Sequence, residues 1–301
     1  MRKYALLLCA LALPAFAQTD TVVGGVLGDS SIVAPVVSWN RVWPRGNHFT
    51  LSMSGWTVSG EFKFRRAVTS LSITPINAYS GDRIYVDGER ADDLEFDASS
   101  LEATFGRIDP IGKHWTSDVR LVALQDQFTR LNKTYAGLRT RQAWRRITAE
   151  DPLLRTFEGF EVAAMAEIFG GDETWARIRL DQRFSRRWGR VRLGESVFVL
   201  QGHELDVVHA FLVGGYGYRY AEFRIDRGVG ADVDLGFAVT PAIELGAHAG
   251  AMRSGDLDTR GAAVDITALI KGIGLRLGVG KAQDRDEIVV YGSILGARFI
   301  R

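Results

Sequence analysis

The feature that most limits what this chain can become is a period-two alternation of apolar and charged residues, sustained over long segments. Segment 175–184 (WARIRLDQRF) sets Ala176, Ile178, Leu180 and Phe184 on one face and Arg177, Arg179, Asp181 and Arg183 on the other. Segment 160–169 sets Phe160, Val162, Ala164, Ala166 and Ile168 against Glu161 and Glu167. Segments 262–271 and 273–281 repeat the pattern, with Asp265, Thr267, Arg276 and Lys281 on the polar phase. A helix would spread these charges around its axis, whereas a strand confines them to one face. Soluble strands average about 5–6 residues. Many of these run about 9–11, the span of a tilted strand that crosses a bilayer.

The breaks between segments are short and turn-like: Gly170-Gly171-Asp172, Arg186-Arg187-Trp188-Gly189, Thr240-Pro241, Gly255-Asp256 and Gln283-Asp284-Arg285-Asp286. Such breaks suit hairpins between neighbouring antiparallel strands. Residues 76–93 read as a loop or a short strand pair, and residues 145–155 as a further break. A soluble sandwich and a membrane barrel share this pattern, because the first buries its apolar face and the second turns it to lipid. The length of the segments favours the barrel. So do the aromatics near segment ends (Trp39, Trp43, Trp56, Trp115, Trp175, Trp188, Tyr216, Tyr218 and Tyr220), placed as an interfacial girdle would require. The last segment, 287–299, carries Val289, Tyr291, Leu295 and Phe299 in one phase, like a terminal-strand assembly signal. The expectation is an all-β, transmembrane antiparallel β-barrel of about 16 strands, or 12–14 if short ones merge.

The first residues, MRKYALLLCALALPAFAQTD, have a basic start, an apolar run and a small-x-small site at Ala15-Phe16-Ala17. That is the three-part pattern of a cleaved signal peptide, and it predicts export to the bacterial outer membrane. The expected organisation is a signal peptide over 1–17, a short lead-in over 18–30 and one barrel over 31–301. The single cysteine, Cys9, lies in the signal, so thiol chemistry and disulfides are not expected of the mature chain. With 37 basic and 36 acidic residues, the chain lacks the basic excess of a nucleic-acid binder.

From about Trp144 to Phe299 the order of motifs resembles the barrel domain of the BamA-type assembly and secretion superfamily, which includes outer-membrane insertases and two-partner secretion translocators. The matching stretches are AEDPLLRTFEGFEVAAMAE, WARIRLDQRFSRRW, GRVRLGESVFVLQG, FLVGGYGYRYAEFRIDR, VDLGFAVTPAIELGAHAGAMRSGD and KGIGLRLGVGK, followed by the terminal strand. The resemblance implies a loop whose arginine folds back into the lumen and anchors it. Arg219 is the matching position, and the chain departs from the family's Arg-Gly-aromatic pattern by having Arg219-Tyr220-Ala221. It also implies a role in outer-membrane protein or lipid handling without a chemical reaction or cofactor. No POTRA module is expected ahead of the barrel. The expected partners are outer-membrane lipids, lipopolysaccharide and the barrel assembly machinery.

Two other functions are open. A passive pore would use the lumen charges Arg177, Arg179, Asp181, Arg183, Glu161, Glu167 and Arg276 as a filter. Arg190, Arg192 and Arg224 are expected inside too, with Asp265 and Glu222 among the partners. Arginine outnumbers lysine 31 to 6, and its fork pairs bidentately with carboxylate and phosphate. A surface lipid hydrolase would need an activated nucleophile. His114 and Ser117 are the one close His/Ser spacing on a strand, but positions i and i+3 point to opposite faces, and no Gly-x-Ser-x-Gly elbow occurs. His203 and His209 flank Glu204 and Asp206 in what reads as a solvated loop. The glycine-rich windows near 214–217 and 272–280 precede strands rather than helices, so they are barrel glycines and not phosphate loops.

Overall fold

The computed structural model describes residues 19–29, 33–43, 47–54, 57–79, 84–86, 89–91, 96–128, 131–151, 156–206, 208–218 and 223–300. The signal peptide expected over 1–17 lies outside them, as do Trp56, Arg219 and Tyr220. No helix is present among the described residues.

The strands are β1 (Thr19–Asp29), β2 (Val33–Val42), β3 (His48–Ser54), β4 (Thr57–Phe64), β5 (Ala67–Tyr79), β6 (Ile84–Val86), β7 (Glu89–Ala91), β8 (Phe96–Ile111), β9 (Trp115–Phe128) and β10 (Leu131–Asp151). They continue as β11 (Thr156–Gly171), β12 (Trp175–Trp188), β13 (Val191–His203), β14 (Phe211–Val213), β15 (Phe223–Ile225), β16 (Arg227–Thr240), β17 (Ile243–Ser254), β18 (Leu257–Ile270), β19 (Ile273–Ala282) and β20 (Ile288–Ile300). Sixteen of them form one closed antiparallel barrel, β1–β5, β8–β13 and β16–β20, each paired with its neighbours in that order. The ring closes where β1 pairs with β20, from Asp20↔Ile300 to Asp29↔Tyr291. β14, β15, β6 and β7 form a separate small sheet.

The alternating segments read above sort their residues onto the two faces of this wall, except that Lys281, read on the polar phase, lies exposed on the outer phase with Leu277 and Val279, because it is an odd position at the strand's end. Val162, Ile168, Ile178, Leu180, Val264 and Ile266 are exposed on the outside. Glu161, Glu167, Asp265 and Thr267 are buried on the inside. The apolar phase is therefore convex and the charged phase lines the lumen, the reverse of a soluble sandwich. Trp115 and Trp188 stand exposed on the outer face, at the end of the barrel that carries the termini. Trp39 and Phe49 meet edge to face at 5.9 Å near the same end, and the Arg41 guanidinium lies 4.9 Å over Trp39.

Four further local expectations change and one holds. Residues 18–30, read as a lead-in, contain β1, a full wall strand. Its polar ends and paired glycines hid a strand whose register is set by long-range pairing. The break read at 145–155 is narrower, because β10 runs on to Asp151 and pairs with β11 through a bulge between Ile147 and Ala149. Residues 76–93 do hold a short strand pair, β6 and β7. Trp175 is not in the girdle. It is buried, stacked on Phe169 at 4.2 Å. In the terminal strand the outward residues are Ile288, Val290 and Ile294, whereas Val289 and Leu295 are buried and Tyr291 bonds inward to Asp265. Tyr291 therefore faces the lumen, not lipid. Phe299 lies opposite Thr21 in the β1–β20 register.

Candidate functional site

The two long connections, between β5 and β8 and between β13 and β16, leave the same end of the barrel, opposite the termini. The described residues of the second, 204–206, 208–218 and 223–226, fold inward. Within it β14 and β15 pair as a hairpin, Phe211↔Ile225 to Val213↔Phe223, and β15 meets β6 through Arg224↔Ile84. Alternation works here on a small scale. Phe211, Val213, Phe223 and Ile225 are buried, while Leu212 is exposed. Their apolar side packs on Leu200, Met252, Leu257 and Ala282 of the barrel wall.

Beyond β14 the tip Gly214–Tyr218 docks on the inner face of β16–β20. Gly217 takes a φ of 82°, a left-handed conformation that favours glycine. The Tyr216 hydroxyl donates to Asp234 at 2.6 Å, and its ring stacks on His248 at 4.8 Å. His248 lies between Asp234 and Asp265, with Nε2 2.9 Å from the Asp265 carboxylate. Asp265 also accepts from Arg276 Nε at 2.6 Å and from the Tyr291 hydroxyl at 3.2 Å. Close approach of the tip depends on Gly261. A Cβ there would overlap the Tyr216 carbonyl oxygen. Tyr218 extends the dock by donating to Asp284 at 2.6 Å. Burial and the neighbouring carboxylates, Asp234 for Tyr216 and Asp284 for Tyr218, push both phenols well above their usual range.

A second anchor holds the base of the segment. His209 is buried, not solvated. Its Nε2 lies 2.8 Å from Asp126 of β9 and its Nδ1 2.8 Å from Asp206. The ring stacks on Trp175 at 4.3 Å and meets Tyr135 edge-on at 5.1 Å. Burial pulls the His209 pKa down, but Asp126 and Asp206 outweigh it and raise it above the ordinary value. His203, by contrast, is exposed, 3.9 Å from Glu204.

Most of the charges expected inside do meet. Glu167 pairs with both Arg139 and Arg177. Arg177 also donates to the His209 carbonyl at 2.7 Å, tying this network to the inward segment. Arg139 reaches on to Glu102 at 2.8 Å. Glu161 takes Arg183 at 2.7 Å, Arg141 at 3.0 Å and Arg145 at 3.1 Å. Arg179 pairs with Asp181 two residues along its own strand, at 2.7 Å. Arg192 pairs with Glu244 at 2.8 Å, but Arg190 sits exposed in the β12–β13 turn. Arg224 belongs to the small sheet, where Nη1 donates to the Val208 carbonyl at 3.2 Å. Arg219 and Tyr220, the residues matched to the lumen-loop anchor, and Glu222 lie outside the described residues. Their near neighbour Tyr216 holds the wall. Sequence reasoning missed Tyr216, His248, His209 and Asp126 as a set. The available signal was that Asp234, His248, Asp265 and Arg276 fall on the polar phase of four successive strands.

His114 and Ser117 are not brought together. The His114 ring nitrogen Nδ1 lies 3.1 Å from the Arg145 carbonyl, and Ser117 accepts from Gln142 at 2.8 Å.

This geometry defines a 16-stranded barrel with a segment folded into its lumen. No family model matches the chain, and no curated protein matches it in sequence. Among solved structures the chain is similar to BamA from Haemophilus ducreyi lacking POTRA domains 1–3, with a TM-score of 0.70 at 8% identity, over 93% of this chain and 70% of that one. It is also similar to CdiB from Acinetobacter baumannii and to CdiB from Escherichia coli, each with a TM-score of 0.60 at 10% identity. The chain covers 95% of itself in both matches, but 61% and 64% of those proteins. The fold is thus the outer-membrane β-barrel fold of the BamA type, as the motif order from Trp144 onward implied.

Proposed function

We propose that the protein sits in the bacterial outer membrane and acts as an assembly- or translocation-type barrel, handling membrane proteins or lipids without chemical catalysis. The observation that carries this is the inward 204–226 segment, docked through Tyr216 on His248 and Asp234 and packed through Phe211 and Phe223 on the wall. A passive channel gains nothing from an apolar core inside its lumen. A barrel that must stay shut until a client engages it does. In outer-membrane barrels the termini and short turns face the periplasm and the long connections face outward, so the docked segment would close the external mouth. Lipids and lipopolysaccharide would surround the apolar belt, and the assembly machinery would insert the barrel.

The test is conductance in a planar bilayer, with the protein refolded in detergent. Wild type is expected to give small, erratic openings, and Tyr216→Ala larger ones. Large, steady, ohmic steps from wild type would turn the reading to a passive pore. One observation favours that second reading: the inner faces of β2–β5 carry half-exposed hydroxyl and amide groups, including Asn40, Thr50, Ser52 and Ser59. If it holds, neutralising Arg179 and Arg183 shifts the reversal potential toward cation preference.

A further inference from the structure

The outer face carries one charge where a lipid-facing surface should have none. On β13 the outward positions are Val191, Leu193, Glu195, Val197 and Val199. Glu195 is exposed, with two apolar outward residues on each side along its own strand. Among the described residues no other ionisable side chain on the outer face is so placed. Successive outward residues are about 6.8 Å apart along a strand, and strands tilt by roughly 40°. Glu195 therefore lies about 10 Å inside its apolar segment, within a belt about 25 Å tall. Across the wall it faces Phe184 on β12 and Val233 on β16. Its bond among the described residues comes from Gln182 Nε2 at 3.3 Å, also an outward side chain.

A carboxyl and an amide in hydrocarbon have no water to satisfy their remaining oxygens and N–H groups. Such residues are rare at this depth and mark contacts with other groups. The pair is also self-complementary, since Gln182 offers donors and Glu195 offers acceptors. A two-fold axis along the membrane normal, passing between them, brings each amide against the other copy's carboxyl. That is the isologous arrangement of symmetric dimers. The surrounding outward residues, Val162, Ala164, Leu180, Val197 and Ala231, are apolar and low, which allows two walls to approach closely.

We propose that the outer face of β11–β16 around Glu195 and Gln182 is a lateral interface between two copies of this barrel. The proposal rests on the barrel spanning a membrane. The experiment uses the full chain in a Cys9→Ser background, so that the single thiol is an introduced one. Val197→Cys, exported into outer membranes and treated with a copper oxidant, is expected to form a disulfide dimer on a non-reducing gel. Leu277→Cys, outward on β19, is expected to stay monomeric. Adding Glu195→Leu or Gln182→Leu to Val197→Cys should cut the cross-linked fraction at least about fivefold, since Leu removes the polar contact but suits lipid. A monomeric Val197→Cys, a yield unchanged by Glu195→Leu, or a cross-link to a different polypeptide would each overturn the interface. Failure of the membrane reading is seen separately, as wild type released from the membranes by alkaline carbonate. Heat-modifiable gel mobility shows that the Glu195→Leu barrel is still folded.

Discussion

The lumen has two walls of different chemistry. On β16–β20 the inner residues are covered by the 204–226 segment: His248, Met252, Leu257 and Asp265 are all buried. On β2–β4 the inner wall carries half-buried hydroxyl and amide groups that bond across strands, and no other described segment lies on them. Thr50 donates to Asn40 at 2.7 Å, Ser52 and Ser59 meet at 2.7 Å, and Ser70 of β5 meets Thr104 of β8 at 2.6 Å. The difference follows from what each wall faces. A wall that meets water can satisfy its polar groups without fixed partners. A wall that meets the chain's own loop must supply both an apolar seat and matched charges, because unpaired polar groups buried there are costly. The covered side is thus specific and the open side generic.

The largest test of this contrast removes a buried charge next to the covered segment. Glu167→Ala leaves Arg139 and Arg177 without their shared carboxylate, and should cost about 3–5 kcal/mol in urea unfolding from lipid vesicles. A loss below about 1 kcal/mol would mean that water replaces the pair and that the network does not hold the segment. Next comes the seat of the tip. Gly261→Val forces the Tyr216 backbone away and should destabilise docking by about 1–3 kcal/mol, raising both conductance and protease cleavage within 204–226. A control far from the dock is Gly60→Ala on the outer phase of β4, whose new Cβ would meet only the Phe49 ring at 3.8 Å. It should shift stability by no more than about 0.5 kcal/mol.

A third test is pH. The raised pKa of His209 means that the docked segment holds the imidazolium better than the released one does. That stabilisation is complete below about pH 6.5, the ordinary histidine value, and is lost as pH rises through the raised value. Cleavage within 204–226 should therefore quicken between neutral and alkaline pH, and His209→Gln should flatten the profile. An unchanged slope in that variant would place the sensitivity elsewhere. A small effect, above only that of the Gly60→Ala control, belongs to the open wall. Ser52→Ala removes one hydroxyl contact beside water and should cost about 0.5–1 kcal/mol by thermal unfolding.

Much of the wall was legible from residues alone. The outward and inward assignments for 160–169, 175–184 and 262–271 hold residue by residue, because one strand's alternation is a local property. The pairing partners of Glu161, Glu167 and Asp265 were legible only as a class. Which arginine reaches which carboxylate depends on register, and Arg179 turns to Asp181 on its own strand while Arg139 and Arg145, on β10, were not anticipated. His209 was misread for a related reason. Its sequence neighbours are acidic and polar, and nothing local shows that Asp126, Tyr135 and Trp175 converge on it from β9, β10 and β12.

Taken alone, the residues determined that this chain would be strands of membrane-crossing length joined mostly by short turns, with one apolar and one charged face. Alternation sorts side chains into two sets but carries no sign. Only closure of the ring, through the pairing of β1 with β20, decided that the apolar set is convex and the charged set encloses a lumen. Tertiary structure alone also decided that 204–226 folds into that lumen. Its partners come from β9, β10, β12 and β13 as well as from β16–β19, strands far apart in the sequence, so the information lies in their juxtaposition and not in any one segment.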